Sequence, residues 1–427
     1  MGKLRQIKRI FFWAILGFLL SWLISCNPTP SNSGQQEIEF WTMQLKPEFT
    51  QYFNNLISQF EDKNPDVKVR WVDIPWSAME SKILTAVSAQ TAPDVVNLNP
   101  NFASQLASRN AWLPLDQQIS DPVKQQYLPK IWEANRINNQ SFGIPWYLTT
   151  NITFYNQDLL NQAGINKPPQ TYAELAEFAQ KIKAETGKYT IFFSFVPNDS
   201  GEIMESLVKM GVELVDSEGK AAFNSPQGIK AFQYWVDLYQ QELLPPEVLT
   251  QGHRYGIELY QSGEVALLSM GVEFFNTIAK NAPSIAEVSG VAPQITGTTG
   301  KKNVAVMNLV IPRETKIAEQ ATEFALFVTN SANQLAFSQA ANVLPSVSEA
   351  IDKYGSQLSI KSELSAMEKA LLVSANQLQD GEVLIPAMDN LNLLQKAIYG
   401  NLQAAMLGEK TVEQAVADAA TEWNQDQ

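Results

Sequence analysis

The chain has 427 residues, with 31 basic and 44 acidic side chains and a formal net charge of −13 at pH 7. A protein this acidic repels the phosphate backbone, which argues against nucleic-acid binding. The length exceeds the usual size of one hydrophobic core and predicts two domains.

Histidine and cysteine each occur once, as His253 and Cys26. A single histidine excludes most histidine-based catalysis and all multi-histidine metal sites. We expect no catalytic residue, no metal site and no cofactor. His253, within QGHRYG, is interpreted as a loop or surface residue. The segment GTTGKK over 297–302 departs from the phosphate-loop pattern and predicts a turn.

The N-terminus has the layout of a secretory signal. Four basic residues precede an apolar run over 10–24, which is shorter than the roughly 20 residues that span a bilayer as a helix. Leu23-Ile24-Ser25-Cys26 resembles the lipobox of bacterial lipoproteins, in which the cysteine is lipidated and becomes the new N-terminus. The sequence predicts a signal peptide over 1–25, lipidation of Cys26 and a polar tether over 26–36. The alternative is an uncleaved membrane helix with an incidental cysteine.

The first part of the body predicts alternating strands and helices. Apolar alternation indicates strands over 37–43, 67–73 and 94–99, and helical spacing indicates a helix over 47–62. Ser77 and Glu80 form a capping-box pattern at the start of a second helix. This alternation of strand and helix predicts a mostly parallel sheet flanked by helices.

The second part contains more helix. Capping patterns start three further helices, at Thr171, Ser225 and Thr411. Apolar runs predict buried strands over 266–270 and 304–312. Extended segments over 143–156 and 291–312 are the candidate crossings between two lobes.

Aromatic and amide side chains recur where strands end. In open α/β sheets ligands bind beyond the carboxyl ends of the strands. Sugars offer apolar faces to aromatic rings and hydroxyls to groups that both donate and accept hydrogen bonds. Although any one aromatic could equally be a core residue, the repeated pattern favours a sugar ligand. The candidate ligand-binding residues from this pattern are Trp41, Gln44, Trp76, Asn99, Asn101, Trp146, Tyr147, Glu273, Phe274 and Asn308.

Long segments of the chain resemble the bacterial extracellular solute-binding proteins, specifically the sugar receptors of ABC importers related to maltose-binding protein. The resemblance spans nearly all of the chain after the tether. It is carried by FEDKNPDVKV, TAPDVVNLN, GIPWYLTTNITFYNQDLLNQAGINKPPQTYAEL, YQSGEVALLSMG, VMNLVIPRETKIAEQATEFALFVT and LGEKTVEQAVADAATEW.

The resemblance implies an α/β fold of two lobes, each a mostly parallel sheet flanked by helices, with a ligand cleft between them. It implies an N-terminal lobe over 37–148 and 300–345 and a C-terminal lobe over 149–299 and 346–427. It adds Asp199, in PNDSGE, and Asn392, after Pro386, to the cleft. Aromatics expected in the third-strand loop, after the ALLSM strand and after Pro386 are missing. The thinner stacking surface favours a disaccharide, a short oligosaccharide or a glycosyl polyol.

The implied partners are a sugar, a membrane permease and a separate ATPase. The resemblance also implies that the chain is a monomer, located outside the cytoplasm and held to the membrane by its lipid. Two alternatives stay open. One is a receptor for a glycerol phosphodiester or another polar solute. The other is a lipid-anchored glycoside hydrolase, which needs only two carboxylates roughly 5–9.5 Å apart.

Overall fold

The computed structural model describes residues 35–425, apart from 108, 138, 198, 386, 387 and 389 and the side chains of 101, 104 and 105. The predicted signal peptide, Cys26 and residues 26–34 of the tether lie outside the described residues. Within the described part of the chain, no helix combines the length and the apolar character that crossing a membrane requires.

Thirteen short strands are present in the described residues. They are β1 Gln36–Met43, β2 Val67–Ile74, β3 Val95–Leu98, β4 Arg136–Ile137, β5 Gln140–Ser141, β6 Gly143–Thr149, β7 Asn151–Asn156, β8 Leu267–Gly271, β9 Ser289–Ala292, β10 Lys302–Asn303, β11 Ala305–Val310, β12 Leu344–Pro345 and β13 Gly381–Glu382. The strands predicted from alternation are confirmed within one or two residues of their ends.

Helices occupy most of the remaining described chain. Up to Gln261 they are α1 Thr50–Lys63, α2 Trp76–Ser88, α3 Pro100–Ala107, α4 Asp121–Lys124, α5 Pro129–Glu133, α6 Gln157–Gln162, α7 Tyr172–Thr186, α8 Glu202–Lys209, α9 Pro226–Gln240 and α10 Tyr255–Gln261. After it come α11 Phe275–Asn281, α12 Pro283–Glu287, α13 Ala318–Val328, α14 Ser331–Ala341, α15 Ser348–Ser359, α16 Ala366–Asn376, α17 Leu391–Met406 and α18 Val412–Gln425. Single 3₁₀ turns cover Pro246–Leu249, Val272–Phe274 and Gln377–Gln379.

Three of the four helix starts predicted from capping patterns are confirmed by their hydrogen bonds. The Thr171 hydroxyl accepts from the Glu174 backbone N–H and the Glu174 carboxylate accepts from that of Thr171, and Thr411 and Gln414 form the same reciprocal pair. Ser225 caps α9. The box predicted at Ser77 is wrong, because α2 begins at Trp76 directly after Pro75 and leaves Ser77 inside the first turn.

The larger sheet has six strands in the order β12-β6-β11-β3-β1-β2. The β1 strand pairs in parallel with β2 and β3, whereas β11 runs antiparallel to β3 and β6, and β12 antiparallel to β6. A second sheet, β8-β7-β9, is antiparallel throughout. The predicted mostly parallel sheets are therefore wrong, because apolar alternation specifies a buried face but not the direction in which a later strand returns.

The chain passes between the two sheets at three places, one of them a single residue long. Thr150 alone separates β6 of the larger sheet from β7 of the smaller one. The segment between β9 and β11 makes a second passage. A third runs from β12 to α16, which packs on β7 and β9. Each sheet thus belongs to a lobe of its own, and the lobes are joined at three places.

Candidate functional site

The ends of β1 and β2 bring two predicted site residues together. Met43 and Ile74 are paired in register, so both strands end at one level. The next residue after β1, Gln44, has a positive φ of 52°, and its side-chain oxygen accepts from the Trp76 backbone N–H at 3.4 Å. The Trp76 side chain is 42% exposed, and its ring centroid lies 6.2 Å from that of Phe102. Gln44 and Trp76 therefore form a polar and aromatic patch at the carboxyl edge of the sheet.

Two further predicted residues, Asn99 and Asn101, follow the end of β3. The side-chain oxygen of Asn99 accepts from the Phe102 backbone N–H at 2.8 Å, so Asn99 caps α3. Its contribution to the site is to fix the start of α3, which carries Phe102 beside Trp76. The side chain of Asn101 is not among those that the structure describes.

Three predicted site residues prove to be core residues. Trp41 is 6% exposed, and Trp146 and Asn308 are fully buried. Trp41 packs with Ile74 and Met79, and Trp146 stacks on Phe337 at 4.9 Å between ring centroids. The physical reason is that β1 and β6 lie inside the sheet, with packed residues on both faces, so an aromatic on such a strand does not reach solvent.

Asn308 is satisfied only in part. Its side-chain nitrogen donates to Asn135 at 2.8 Å, while its side-chain oxygen has no hydrogen-bond partner among the described residues. The register of β11 against β6 shifts between Met307 and Asn308, and the Asn308 side chain lies in the lobe interior. This corrects the expectation that Asn308 contacts a ligand.

Tyr147 meets the second lobe at Glu273. Tyr147 is partly exposed on β6, next to the buried Trp146. Burial raises the pKa of the Tyr147 phenol, and the carboxylate of Glu273 raises it further. Glu273 lies in the 3₁₀ turn that follows β8, and burial raises the pKa of its carboxyl. Its carboxyl folds back over Gly271, where a side chain would leave it no room. Tyr147 and Glu273 are therefore near enough to interact electrostatically.

Asp199 and Phe274 lie beside His253 and Arg254, neither of which is among the predicted ligand-binding residues. The Asp199 carboxylate accepts from the His253 backbone N–H at 2.6 Å and pairs with the ring Nδ1 at 3.1 Å. Burial favours a raised pKa for Asp199, but the His253 hydrogen bonds outweigh it, and the pKa is lowered. The same side-chain bond raises the pKa of His253 against the effect of burial. The Arg254 guanidinium stands 5.8 Å from the centre of the Phe274 ring.

Helix α8 carries three charged groups into the second lobe. Glu202, Glu205 and Lys209 line one small cavity together with Asn151 and Ser269. The Asn151 side-chain nitrogen donates to Glu202 at 3.1 Å. Burial, and then repulsion by Glu205, raise the pKa of Glu202 to about 8. Sequence reasoning missed this cluster, although spacings of three and four residues along α8 placed the three groups on one helical face.

Asn392 is exposed in the first turn of α17. Gln395 and the Tyr399 hydroxyl, further along this helix, both donate to the Ser200 carbonyl. The start of α17 is thereby fixed beside the loop of Asp199. The turn over 297–302 is confirmed, and it covers the end of α8 through a bond from the Thr299 hydroxyl to the Lys209 carbonyl at 2.9 Å.

The described residues contain no group of three or more His, Cys, Asp or Glu side chains placed to hold a metal ion. Most polar groups at the two lobe edges are amide, carboxyl and hydroxyl groups with adjacent aromatic rings, and the basic groups His253 and Lys209 lie beside acidic partners. This arrangement suits hydrogen bonding to an uncharged polar molecule combined with stacking on an aromatic face.

Comparison with known proteins assigns the family. The model of the bacterial extracellular solute-binding proteins matches residues 46–335, so the chain belongs to this family. A periplasmic-binding protein from Synechococcus sp. MITs9220, solved with and without zinc, is 44% identical at a TM-score of 0.86, covering 91% of this chain and 98% of that one.

More distant relatives share the fold. The GacH receptor of Streptomyces glaucescens, solved unliganded and with acarbose, is 21% identical with a TM-score of 0.75, covering 92% of this chain and 98% of its own. The arabinooligosaccharide-binding protein of Bacillus subtilis is 22% identical over 338 residues, 76% of this chain and 77% of that protein. The predicted two-lobe solute-binding fold is confirmed.

Proposed function

We propose that this chain is the substrate receptor of an ABC importer and captures a neutral sugar: a disaccharide, a short oligosaccharide or a glycosyl polyol. The observation that carries the proposal is the exposed indole of Trp76 beside the Gln44 amide, at the common end of two parallel strands. Among the large hydrophobic side chains that the structure describes, the exposed ones are Trp76, Ile360 and Leu407. Trp76 alone of these offers an aromatic face for stacking.

The second lobe would supply the hydrogen-bonding partners. Asp199, Glu202 and Glu273 place carboxyl groups near the joint, where sugar hydroxyls can donate to them. The ligand then bridges both lobes and favours the closed state, because only that state lets it contact both. The relatives that bind acarbose and arabinooligosaccharides favour a carbohydrate.

Charge favours a neutral ligand over the phosphodiester alternative. A bound phosphate is usually held by arginine or by a helix N-terminus. Arg254 is the one guanidinium beside Phe274 in the described site, and the first turn of α8 carries the acidic Glu202 and Glu205. Those two carboxyl groups occupy the helix end at which an anion would otherwise be stabilised.

A ligand screen tests this proposal. Thermal unfolding of the soluble chain from Ser31 onward would be measured against neutral sugars, polyols, glycosyl polyols and glycerol phosphodiesters. A ligand of the folded state at 100 times its dissociation constant is expected to stabilise it by about 2.7 kcal/mol. Recovery of that sugar unchanged would separate a receptor from a hydrolase. A shift given by charged solutes alone would refute the sugar assignment and leave the family unaffected.

Replacing Trp76 with alanine is expected to weaken sugar binding by about tenfold, which corresponds to about 1.4 kcal/mol, because the stacking face is lost. Calorimetric titration with the sugar found in the screen measures the effect. Trp76→Phe should retain part of the affinity. Leu407→Ala, at an exposed apolar residue 56% accessible in the second lobe, is the matched control. Equal affinities for Trp76→Ala and Leu407→Ala would contradict stacking at this position.

We further propose that Cys26 carries the lipid that holds a monomeric receptor outside the cytoplasm, and that permease subunits with a separate ATPase accept its ligand. The lipobox-like sequence before Cys26 supports the anchor. Cells that express the chain are expected to incorporate labelled palmitate into it, and Cys26→Ser should abolish the label and release the protein from the membrane fraction. Label that persists in Cys26→Ser would rule out this attachment point.

The lobe boundaries are proposed as 37–148 with 300–345, and 149–299 with 346–427. The two separate sheets support this division, since the strands of the larger sheet lie in the first pair of segments. The joint at Thr150 falls within two residues of the first proposed boundary.

A further inference from the structure

The three passages between the lobes converge on one buried amide. Gln377, in the 3₁₀ turn after α16, is 1% exposed. Its side-chain nitrogen donates to the Thr150 hydroxyl at 3.0 Å and to the Asn151 carbonyl at 3.3 Å. Thr150 is the only residue between β6 and β7. Gln377 therefore bonds both to the first joint, at Thr150, and to the first residue of β7, Asn151.

The other end of the same amide holds the second passage. The Gln377 side-chain oxygen accepts from the Gln294 backbone N–H at 2.8 Å. The Gln294 side chain in turn closes its own loop, because it donates to the Asn303 carbonyl at 3.1 Å and accepts from the Asn303 N–H at 2.8 Å. The two ends of this second passage are therefore tied to each other and to Gln377.

The third passage ends in α16, which contributes a neighbouring hydroxyl and is followed directly by Gln377. Ser374, on the last turn of α16, shares a hydrogen bond with Thr150 at 2.7 Å. Thr150 and Ser374 are each 2% exposed and Gln294 is 3% exposed. Water is thus excluded from these bonds, and a buried amide or hydroxyl that lost its partner would be left unsatisfied at a cost of about 1–3 kcal/mol.

We propose that Gln377 is a positioning residue for ligand capture: it joins the three interlobe passages into one unit and sets the equilibrium between open and closed lobes. A change in the angle between the lobes requires backbone rotation around Thr150 and within 293–304, the two segments that Gln377 holds. Ligand affinity then depends on Gln377 without any contact between this side chain and the ligand, since apparent affinity scales with the fraction of the competent state. The affinity part rests on the proposed function.

The first test needs no ligand. The full chain carrying Cys26→Ser has no remaining cysteine, so cysteines for spin labels can be introduced at the exposed Gln51 on α1 and Glu177 on α7. Pulsed electron paramagnetic resonance then gives the distribution of distances between the lobes. Gln377→Ala is expected to broaden or shift this distribution. Gln379→Ala, at an exposed residue in the same 3₁₀ turn, should leave it unchanged.

A second variant protects the test against a folding defect. Thr150→Val removes the hydroxyl that Gln377 and Ser374 share while keeping the shape of the side chain. It is expected to change the distribution in the same direction as Gln377→Ala. Distributions equal to that of the parent chain in both variants, with cooperative unfolding retained, would overturn the proposal.

The affinity part uses maltose as the first probe. In chains that bind it, Gln377→Ala and Thr150→Val are expected to change the dissociation constant by about threefold or more, and Gln379→Ala should not. An unchanged dissociation constant alongside an altered distance distribution would refute the link to affinity. No binding of maltose by the parent chain would count against this sugar as the ligand of the proposed function, while the distance measurement would still decide the role of Gln377.

Discussion

Replacing Trp146 with alanine is expected to lower the free energy of unfolding by about 3–5 kcal/mol, the usual cost of truncating a buried aromatic. Trp146 is fully buried, stacked on Phe337 and packed against Phe40 and Phe53. Alanine leaves a cavity between the sheet and its helices that such packed neighbours fill only in part. Denaturant unfolding followed by circular dichroism measures the loss.

Replacing a buried tryptophan with phenylalanine separates the effect of packing from that of the indole hydrogen bond. The Trp146 indole nitrogen has no hydrogen-bond partner in the described part of the chain, whereas that of Trp423, also buried, donates to the Gly219 carbonyl at 2.8 Å. Trp423→Phe is therefore expected to cost about 1 kcal/mol more than Trp146→Phe. If Trp146→Ala has the same free energy of unfolding as the parent chain but no longer binds the sugar, Trp146 belongs to the ligand site and its assignment to the core is wrong.

Replacing Glu202 with glutamine is expected to change how stability depends on pH. The folded chain raises the pKa of Glu202 from 4.5 to about 8, through burial and then repulsion by Glu205. Between these two pKa values the folded state keeps a proton that the unfolded state has released. The stabilisation is therefore complete below the lower pKa and is lost as pH rises through the upper one. The expected loss is about 1.4 kcal/mol per pH unit.

Glutamine removes this loss because its amide is neutral at every pH, and its oxygen can still accept from Asn151. The difference in unfolding free energy between Glu202→Gln and the parent chain should grow in favour of the variant from about pH 5 to pH 8. Glu409→Gln, at an exposed glutamate of the second lobe, is the control and should follow the parent chain. Parallel curves for all three proteins would show that Glu202 is ionised throughout this range.

The elements of this fold were predictable where local chemistry decides them. Apolar alternation located β1, β2 and β3, and the side chains of Thr171, Ser225 and Thr411 marked helix starts. Strand direction was not predictable in the same way, because β11 pairs with β3 and β6 only after the chain has passed through the other lobe. That choice depends on contacts between residues far apart in sequence.

The candidate site, too, was predictable where local chemistry decides the position of a residue and not where contacts distant in sequence decide it. Gln44, Trp76 and Glu273 lie at strand ends as predicted, because the end of a strand is a local property. Trp41 and Trp146 were predicted to be accessible but are buried, since an aromatic within an interior strand and one just beyond its end differ by only a few residues. Glu202 was missed because the burial that raises its pKa is a tertiary property, produced in part by Asn151 and Ser269, which the fold brings to it from other strands.

The single residue between β6 and β7 also has a mechanical consequence. A long flexible linker would let the lobes diffuse apart, whereas Thr150 leaves them a common pivot. In the proposed site, a sugar resting on Trp76 in one lobe would meet the carboxyl groups of the other at the high effective concentration typical of a short connection. In such an arrangement, the cleft closes through rotation of a few backbone dihedral angles. The folding of the chain thus places the second lobe close to the first before a ligand binds, so that a ligand on one lobe has the groups of the other lobe nearby.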